Sequence, residues 1–359
     1  MSAAALQELY DGRALKPAAS LWELAEAHVR FAELGATPAP EPAVSAALAE
    51  GDGVAVLIGP SGSGKSSVLA YVARDLAATI NAAGRHFLPV FLPVAGRPEH
   101  ASRLDVFGKG VMREVLFALH GQLGEHHREK LERSMADQVT HQSSGAKFVS
   151  KITALIPGLS GEVGFELASD VVSVVHRPDL DNHGGLKTLG DIVRARGYEL
   201  VVVVEDTDAL AFDETGAQAR AFFRAVVRPL TSEVDVGVAI AVQSPWLDGE
   251  RRLQEAMAVV ERAVTAPRMP SPGSDASARG MVEAVLARRV ERGLENPGSL
   301  GENPVAALFT DAALDALGHE LRASGSMRKP LTRVRDAIDR RADTGMPDRL
   351  DVTDLLEIS

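Results

Sequence analysis

The residues best suited to chemistry in this chain form a glycine-rich stretch near position 60. It matches the pattern G-x-x-x-x-G-K-[ST] in full. Glycines let the backbone wrap so that successive N–H groups face one anion, and a following helix adds its partial positive charge. Lys65 can then reach the β- and γ-phosphates, while the Ser66 hydroxyl is available to Mg²⁺. The phosphate-binding residues predicted in this way are Gly59, Pro60, Ser61, Gly62, Ser63, Gly64, Lys65, Ser66 and Ser67.

A second set of reactive side chains follows four consecutive valines. The run Val201 to Val204 predicts a strand buried on both faces. It ends in three carboxylates within four residues, Glu205, Asp206 and Asp208. Carboxylates at the end of such a strand can hold the water shell of a metal ion and orient an attacking water. Ser66 and carboxylates of this run are therefore candidate magnesium ligands.

The elements around the glycine-rich stretch are those that a phosphate-binding loop requires. Residues 54–58 are apolar and flanked by glycines, which predicts a buried strand, and a helix is predicted over 65–83. A second strand is predicted over 86–94, although it contains Pro89 and Pro93. Prolines cannot donate to a ladder, so this strand is expected at a sheet edge. Further strands are predicted over 199–204, 234–242 and 263–269.

The composition excludes several functional classes. The 359 residues suggest two domains, and 45% hydrophobic with 24% charged residues is typical of a soluble folded chain. The absence of cysteine excludes disulfides, thiolate zinc sites, iron–sulfur clusters and cysteine nucleophiles, and fits a cytoplasmic protein. A net charge of −11 argues against autonomous nucleic-acid binding, which usually needs a basic face. No membrane association is expected, because no apolar run is long enough to span a bilayer.

The chain divides into three predicted parts. Residues 1–42 are interpreted as a helical lead-in and linker, residues 43–270 as an α/β domain, and residues 278–359 as a small helical domain. The intervening stretch PSPGSDAS has the composition of a domain boundary. Apolar and polar residues alternate within 146–168, which predicts a β-hairpin insertion there.

These motifs resemble those of the AAA+ ATPases, and within them the origin-recognition and archaeal replication-initiator group. In that family the second motif commonly reads Asp-Glu-x-Asp after apolar residues. Here Glu205-Asp206-Thr207-Asp208 occupies that place with the first two acids exchanged. The resemblance covers about residues 43–345. It implies a P-loop NTPase core of three αβα layers, with a parallel sheet in the order 5-1-4-3-2, followed by an all-helical lid domain.

The resemblance also implies roles for individual residues. Glu205 would serve Mg²⁺ and Asp206 would polarise water, or in the alternative register Asp206 would be the metal ligand. Asp206 is one methylene shorter than the usual glutamate, so slow or partner-stimulated hydrolysis is expected. Gln243, after the fourth strand, matches the residue that senses the γ-phosphate. Arg328, in a Gly-x-x-Arg pattern beginning at Gly325, matches the sensor of the lid.

An arginine finger is implied as well, since such ATPases usually donate one to the site of a neighbouring subunit. The candidates are Arg224, Arg228 and Arg262, of which Arg262 best matches the placement in initiators.

Three functions are compatible with these observations. The leading one is an ATPase that uses Mg²⁺ and ATP as a conformational switch, within a homo-oligomer or a complex with a partner protein. The second is an assembly module that binds nucleotide but hydrolyses it weakly or not at all. The third is a signalling or defence NTPase of the STAND or KAP type. Nucleic-acid binding is permitted but not required, and replication, transposition, phage defence and protein remodelling all remain open.

Overall fold

A computed structural model gives the fold. It describes residues 2–11, 21–36, 38–94, 111, 166–168, 170, 171, 182–205, 207–212, 216–232, 234–248 and 252–356. None of the helices among these residues has the length and apolar character needed to cross a bilayer. Asp206 lies outside the described residues, as does most of the predicted hairpin insertion.

A parallel sheet of four described strands organises the chain. The strands are β1 (Val54–Gly59), β2 (His86–Pro93), β3 (Tyr198–Glu205) and β4 (Gly237–Gln243). Their order is β1-β4-β3-β2, and all three pairings are parallel. The predicted α/β class with a parallel sheet is therefore confirmed.

The register brings the ends of three neighbouring strands to one edge of the sheet. Gly59 at the end of β1 pairs with Gln243 at the end of β4. On the other side of β4, the paired strand β3 ends at Glu205. The carboxyl ends of parallel strands are where open α/β sheets bind ligands, so this edge is where a site is expected.

The second strand has the edge position that its prolines require. Among the described strands, β2 pairs only with β3 and closes one side of the sheet. Pro89 and Pro93 lie opposite Val201 and Glu205 in that pairing. A strand that lacks two N–H donors is tolerated where one flank has no ladder to complete, so the edge prediction is confirmed.

The predicted fifth strand is not regular. Residues 263–269 run alongside β1, where Val264 N donates to Val54 O at 2.9 Å and Met269 N donates to Ile58 O at 2.6 Å. The segment forms only isolated parallel bridges, because Pro267 has no N–H donor and its ring restricts the residue before it. The predicted order 5-1-4-3-2 is therefore corrected to β1-β4-β3-β2, with an irregular segment beside β1.

Helices cover both faces of the sheet. Those before the irregular segment beside β1 are α1 (Ser2–Asp11), α2 (Leu21–Glu26), α3 (Pro40–Leu48), α4 (Lys65–Ala77), α5 (Asn182–Ala195), α6 (Ala217–Phe222), α7 (Arg228–Ser232) and α8 (Gln254–Arg262). A π-helical turn, Phe223–Val227, joins α6 to α7. Those after the sheet are α9 (Asp275–Gly293), α10 (Pro304–Leu308), α11 (Asp311–Ser324), α12 (Arg328–Thr344) and α13 (Val352–Leu356).

Alternate residues of the strands enter two separate cores. Val202 and Val204 pack with the phenylalanines of the α6–α7 region on one face. Val201 and Val203 pack on the other face with α4, the N-terminal helices and the helices that follow the sheet. A parallel sheet needs both faces covered, and this arrangement provides three layers.

One predicted element differs from the structure. Residues 166–168 are helical, so a strand of the predicted 146–168 hairpin is wrong at that end. The remainder of that hairpin lies outside the described residues.

Candidate functional site

The phosphate-binding loop has a backbone that requires its glycines. Gly62 and Gly64 have φ values of +74° and +96°, in the left-handed region that side chains disfavour. A Cβ atom on Gly59 would lie 2.7 Å from Cγ of Met269, in the segment beside β1. The loop therefore turns sharply from β1 into α4, leaving its N–H groups at the N-terminus of that helix.

Lys65 is buried at the base of this loop, with 5% of its surface exposed. Its ammonium group donates to the carbonyl oxygens of Gly59 at 3.0 Å and Pro60 at 2.8 Å. Burial lowers the pKa of Lys65 from 10.5 to about 8, and Arg328 adds to this effect while Asp208 opposes it. A cation with incomplete charge compensation is thus held where phosphates are expected.

Asp208 connects the loop to two strands. It lies in the 3₁₀ turn after β3 and is 3.8 Å from the Lys65 ammonium. Its carboxylate accepts hydrogen bonds from the Ser61 hydroxyl and the Gln243 side-chain amide. In the sequence Asp208 is only the last acid of its motif, and its direct contact with the loop was not predicted.

The candidate magnesium ligands that the structure describes lie around one cavity. Ser66, in the first turn of α4, and Glu205, buried at the end of β3, both line it. A hydroxyl and a carboxylate are oxygen ligands of the kind that Mg²⁺ prefers, with phosphate oxygens and water completing its shell. Within the described residues there is no separate cluster of three metal-ligating side chains. These donors therefore fit a metal ion that arrives with a phosphate ligand.

One loop hydroxyl has no hydrogen-bond partner among the described residues. The oxygen atom of Ser63 is buried within the loop and remains unpaired. Buried polar groups almost always form hydrogen bonds, so an unpaired one is expected to bind a ligand or a water molecule. Together with the N–H groups of the loop, this oxygen is consistent with an anion cradle.

The cavity has a volume of about 590 Å³ and three walls. The phosphate-binding loop and Glu205 form its floor, and residues 24–34 of the N-terminal part form one side. The helices after the sheet form the opposite side. The apolar residues that line it include Leu24, Val29, Phe31, Leu34, Pro270, Pro272, Met281, Val285, Leu321 and Leu331. The space thus has a polar, phosphate-compatible end and an apolar remainder.

The start of α12 contacts the phosphate-binding loop directly. The Arg328 backbone N–H donates to Gly62 O at 3.3 Å, and its side chain lines the cavity. A Cβ on Gly62 would lie 2.8 Å from that of Arg328 and would also overlap the Ser326 hydroxyl. Gly62 is therefore needed for the close approach of this helix as well as for its own φ angle. The structure brings Arg328 to the loop.

Other predicted residues lie outside the cavity. Gln243 is buried, and its side-chain amide donates to Asp208. Arg262 is exposed at the end of α8, Arg224 pairs with Glu255 at 2.6 Å, and Arg228 is exposed. The roles of these residues remain predictions.

The N-terminal wall was not predicted to belong to the site. His28 lines the cavity beside the loop, and its ring stands 4.9 Å from that of Tyr71 on α4. In the sequence His28 is only one position of a helical pattern, with no motif to mark it.

Comparison with known proteins gives structural neighbours only. No family model and no curated protein matches the chain. It is similar to the ORC1 protein of Aeropyrum pernix, solved in complex with DNA, with a TM-score of 0.48 and 17% identity. That alignment covers 94% of this chain and 68% of the ORC1 chain. It is also similar to PCH-2 of C. elegans, with a TM-score of 0.29, 12% identity, and 94% and 63% of the two chains covered.

Proposed function

We propose that this chain binds ATP with Mg²⁺ and hydrolyses it as an AAA+-like conformational switch, working in an oligomer or a complex. The observation that carries this proposal is the buried ammonium of Lys65. It lies within a glycine-rich loop, at the floor of a cavity that Arg328 lines from the helical side. A buried cation and a row of N–H groups are suited to a polyphosphate.

Each part of the site has a chemical role in this proposal. The loop N–H groups and Lys65 hold the phosphates, and the apolar part of the cavity receives the nucleoside. Ser66 and Glu205 would hold Mg²⁺, which when bound neutralises phosphate charge. Asp206 would accept a proton from the attacking water, and its short side chain makes that transfer slow or dependent on a partner. Asp208 fixes Ser61 and Gln243 around the loop.

The proposed switch depends on Arg328. Its side chain lines the cavity, where its guanidinium would pair with phosphate oxygens, and its backbone N–H donates to Gly62 O. Phosphate binding would draw the start of α12 against the loop, and the helices after α12 would move with it. The surface offered to a partner would then differ between nucleotide states.

Replacing Arg328 with alanine should remove this coupling. We expect wild-type protein to change its mass or hydrodynamic radius when ATP and Mg²⁺ are added, and the Arg328→Ala variant to change little. Hydrolysis should fall about tenfold or more, since one charge-assisted contact to the reacting phosphate is lost. Light scattering with and without nucleotide measures the first effect and phosphate release the second.

Lys329→Ala is the matched control, because it removes a neighbouring exposed charge that does not line the cavity. Equal behaviour of the two variants would contradict the assignment of Arg328.

ATP affinity should depend on pH through Lys65. Its pKa of about 8 means that the ammonium loses its proton above that pH, whereas phosphate binding requires the charged form. Affinity should be nearly full at about pH 7 and about tenfold weaker at about pH 9. In Lys65→Arg this fall should disappear, because a guanidinium stays charged over the range. Calorimetric titrations at several pH values measure both, and a wild-type affinity that is flat with pH would contradict the prediction.

A second candidate function is a nucleotide-dependent assembly module with little hydrolysis. The observation that favours it is the exchanged acidic pair, in which Asp206 stands where the resembled family usually has the longer glutamate. Both candidates share the same binding site and differ only in turnover.

A further inference from the structure

A buried histidine connects the N-terminal wall of the cavity to the phosphate-binding helix. His28 is 9% exposed, and its Nδ1 lies 2.9 Å from the Ser67 hydroxyl in the first turn of α4. Its Nε2 lies 2.8 Å from Oε1 of Glu41, at the start of α3. The three side chains thus form one hydrogen-bonded line from α3 through the wall to the loop helix.

Glu41 fixes the orientation of the ring. It is 5% exposed, and the same oxygen accepts the Phe31 N–H at 2.7 Å. Burial raises the pKa of Glu41, but the hydrogen bonds from His28 and Phe31 outweigh this effect and leave that pKa below its ordinary value. An ionised carboxylate accepts the Nε2 proton, so in the neutral imidazole Nδ1 accepts the hydroxyl proton of Ser67.

The same segment carries the apolar side of the cavity. Leu24, Val29, Phe31 and Leu34 line it within a few residues of His28. The His28 ring also packs on Tyr71, one helical turn after Ser67. Within the same segment, Glu26 forms an ion pair with Arg292 of α9. Residues 24–34 are therefore held between α4 and the helices after the sheet, and His28 is their buried polar contact with the loop helix.

We infer that His28, oriented by Glu41, is a positioning residue that sets the distance between the apolar wall and the phosphate-binding loop. This inference rests on the proposed nucleotide site. It specifies how the apolar wall is held at a fixed distance from the phosphate-binding loop. In the proposed site, phosphates bind to loop N–H groups and Lys65, whereas His28 contacts the Ser67 hydroxyl. The nucleoside meets a wall whose place depends on the bond from His28 to Ser67. Loss of that bond should weaken binding of a nucleotide and spare binding of a bare polyphosphate.

The test compares ATP with inorganic tripolyphosphate. For His28→Ala we expect about tenfold weaker ATP binding and less than about twofold change for tripolyphosphate. His28→Asn keeps a polar group at the position of Nδ1 and should recover part of the ATP affinity. Ser67→Ala keeps the backbone N–H that faces phosphate and removes the hydroxyl that contacts His28, so it should reproduce the selective loss. Its combination with His28→Ala should add little, because the two residues act through one bond.

Controls separate this inference from the proposed function. Thr79→Ala removes a hydroxyl that donates to Leu76 O at 2.9 Å beyond the other end of α4, and should change neither affinity. Thermal melts check folding, and Ser67→Ala serves if His28→Ala is unstable. If His28→Ala loses affinity equally for ATP and tripolyphosphate, or for neither, the inference is wrong. The proposed function would still hold in that case, provided that the wild-type protein binds ATP. Failure of the wild-type protein to bind either ligand would overturn both.

Discussion

Replacing Lys65 with alanine is expected to weaken ATP binding at least about 100-fold. Its ammonium is the buried cation of the site, and charge-assisted hydrogen bonds to phosphate are worth about 1.5–3 kcal/mol each. A single lysine can make two or three of them, and about 2.7 kcal/mol corresponds to 100-fold in affinity. No other described cation lies at the base of the loop, where Lys65 donates to Gly59 and Pro60.

The measurement is a titration with ATP and Mg²⁺ at about pH 7, where Lys65 is charged. Lys65→Met is the sharper variant, because it keeps an apolar stem of similar length and removes only the charge. It should remain folded, since burying an ammonium opposes folding. Lys329→Ala removes an exposed lysine and should bind as the wild type does. Unchanged ATP affinity in Lys65→Met would refute the assignment of the loop.

Replacing Asp206 with asparagine is expected to lower steady-state hydrolysis about 100-fold or more. A general base contributes about 10²- to 10⁴-fold to rate, and asparagine cannot accept the proton of the attacking water. ATP affinity should stay within about threefold, because in this register Glu205 holds the metal. Phosphate release and equilibrium binding on the same preparation measure the two effects.

Glu205→Gln is the informative companion to this variant. If Glu205 is the metal ligand, its amide should weaken Mg²⁺-dependent binding, whereas the alternative register assigns that loss to Asp206→Asn. Asp191→Asn, at an exposed acid on α5, is the control and should change neither quantity. If wild type and Asp206→Asn both hydrolyse ATP only at background rate while binding it tightly, the ATPase proposal is wrong and the assembly-module function is supported.

Local features of the site were predictable from sequence. The loop follows from glycine spacing between an apolar run and a helix, because φ angles such as that of Gly64 are a local requirement. The edge position of β2 follows from Pro89 and Pro93, which lack donors wherever the strand lies. Both predictions rest on properties that a residue carries into any fold.

Features that depend on distant packing were not predictable. The Ser61–Asp208 and His28–Ser67 contacts join residues 147 and 39 positions apart, and no local pattern encodes such pairs. The segment beside β1 was predicted as a regular strand, and its irregularity was missed because Pro267 lacks the N–H donor that a ladder needs. Gly62 was predicted for its backbone, whereas its contact with Ser326 and Arg328 of the helical part emerged only from the fold.

The most direct test of the central claim is calorimetric titration of the intact chain with nucleoside triphosphates and Mg²⁺. We predict saturable heat with one ATP per chain, and its loss in Lys65→Met. The absence of heat with both adenine and guanine triphosphates would contradict the claim that this loop holds a nucleotide.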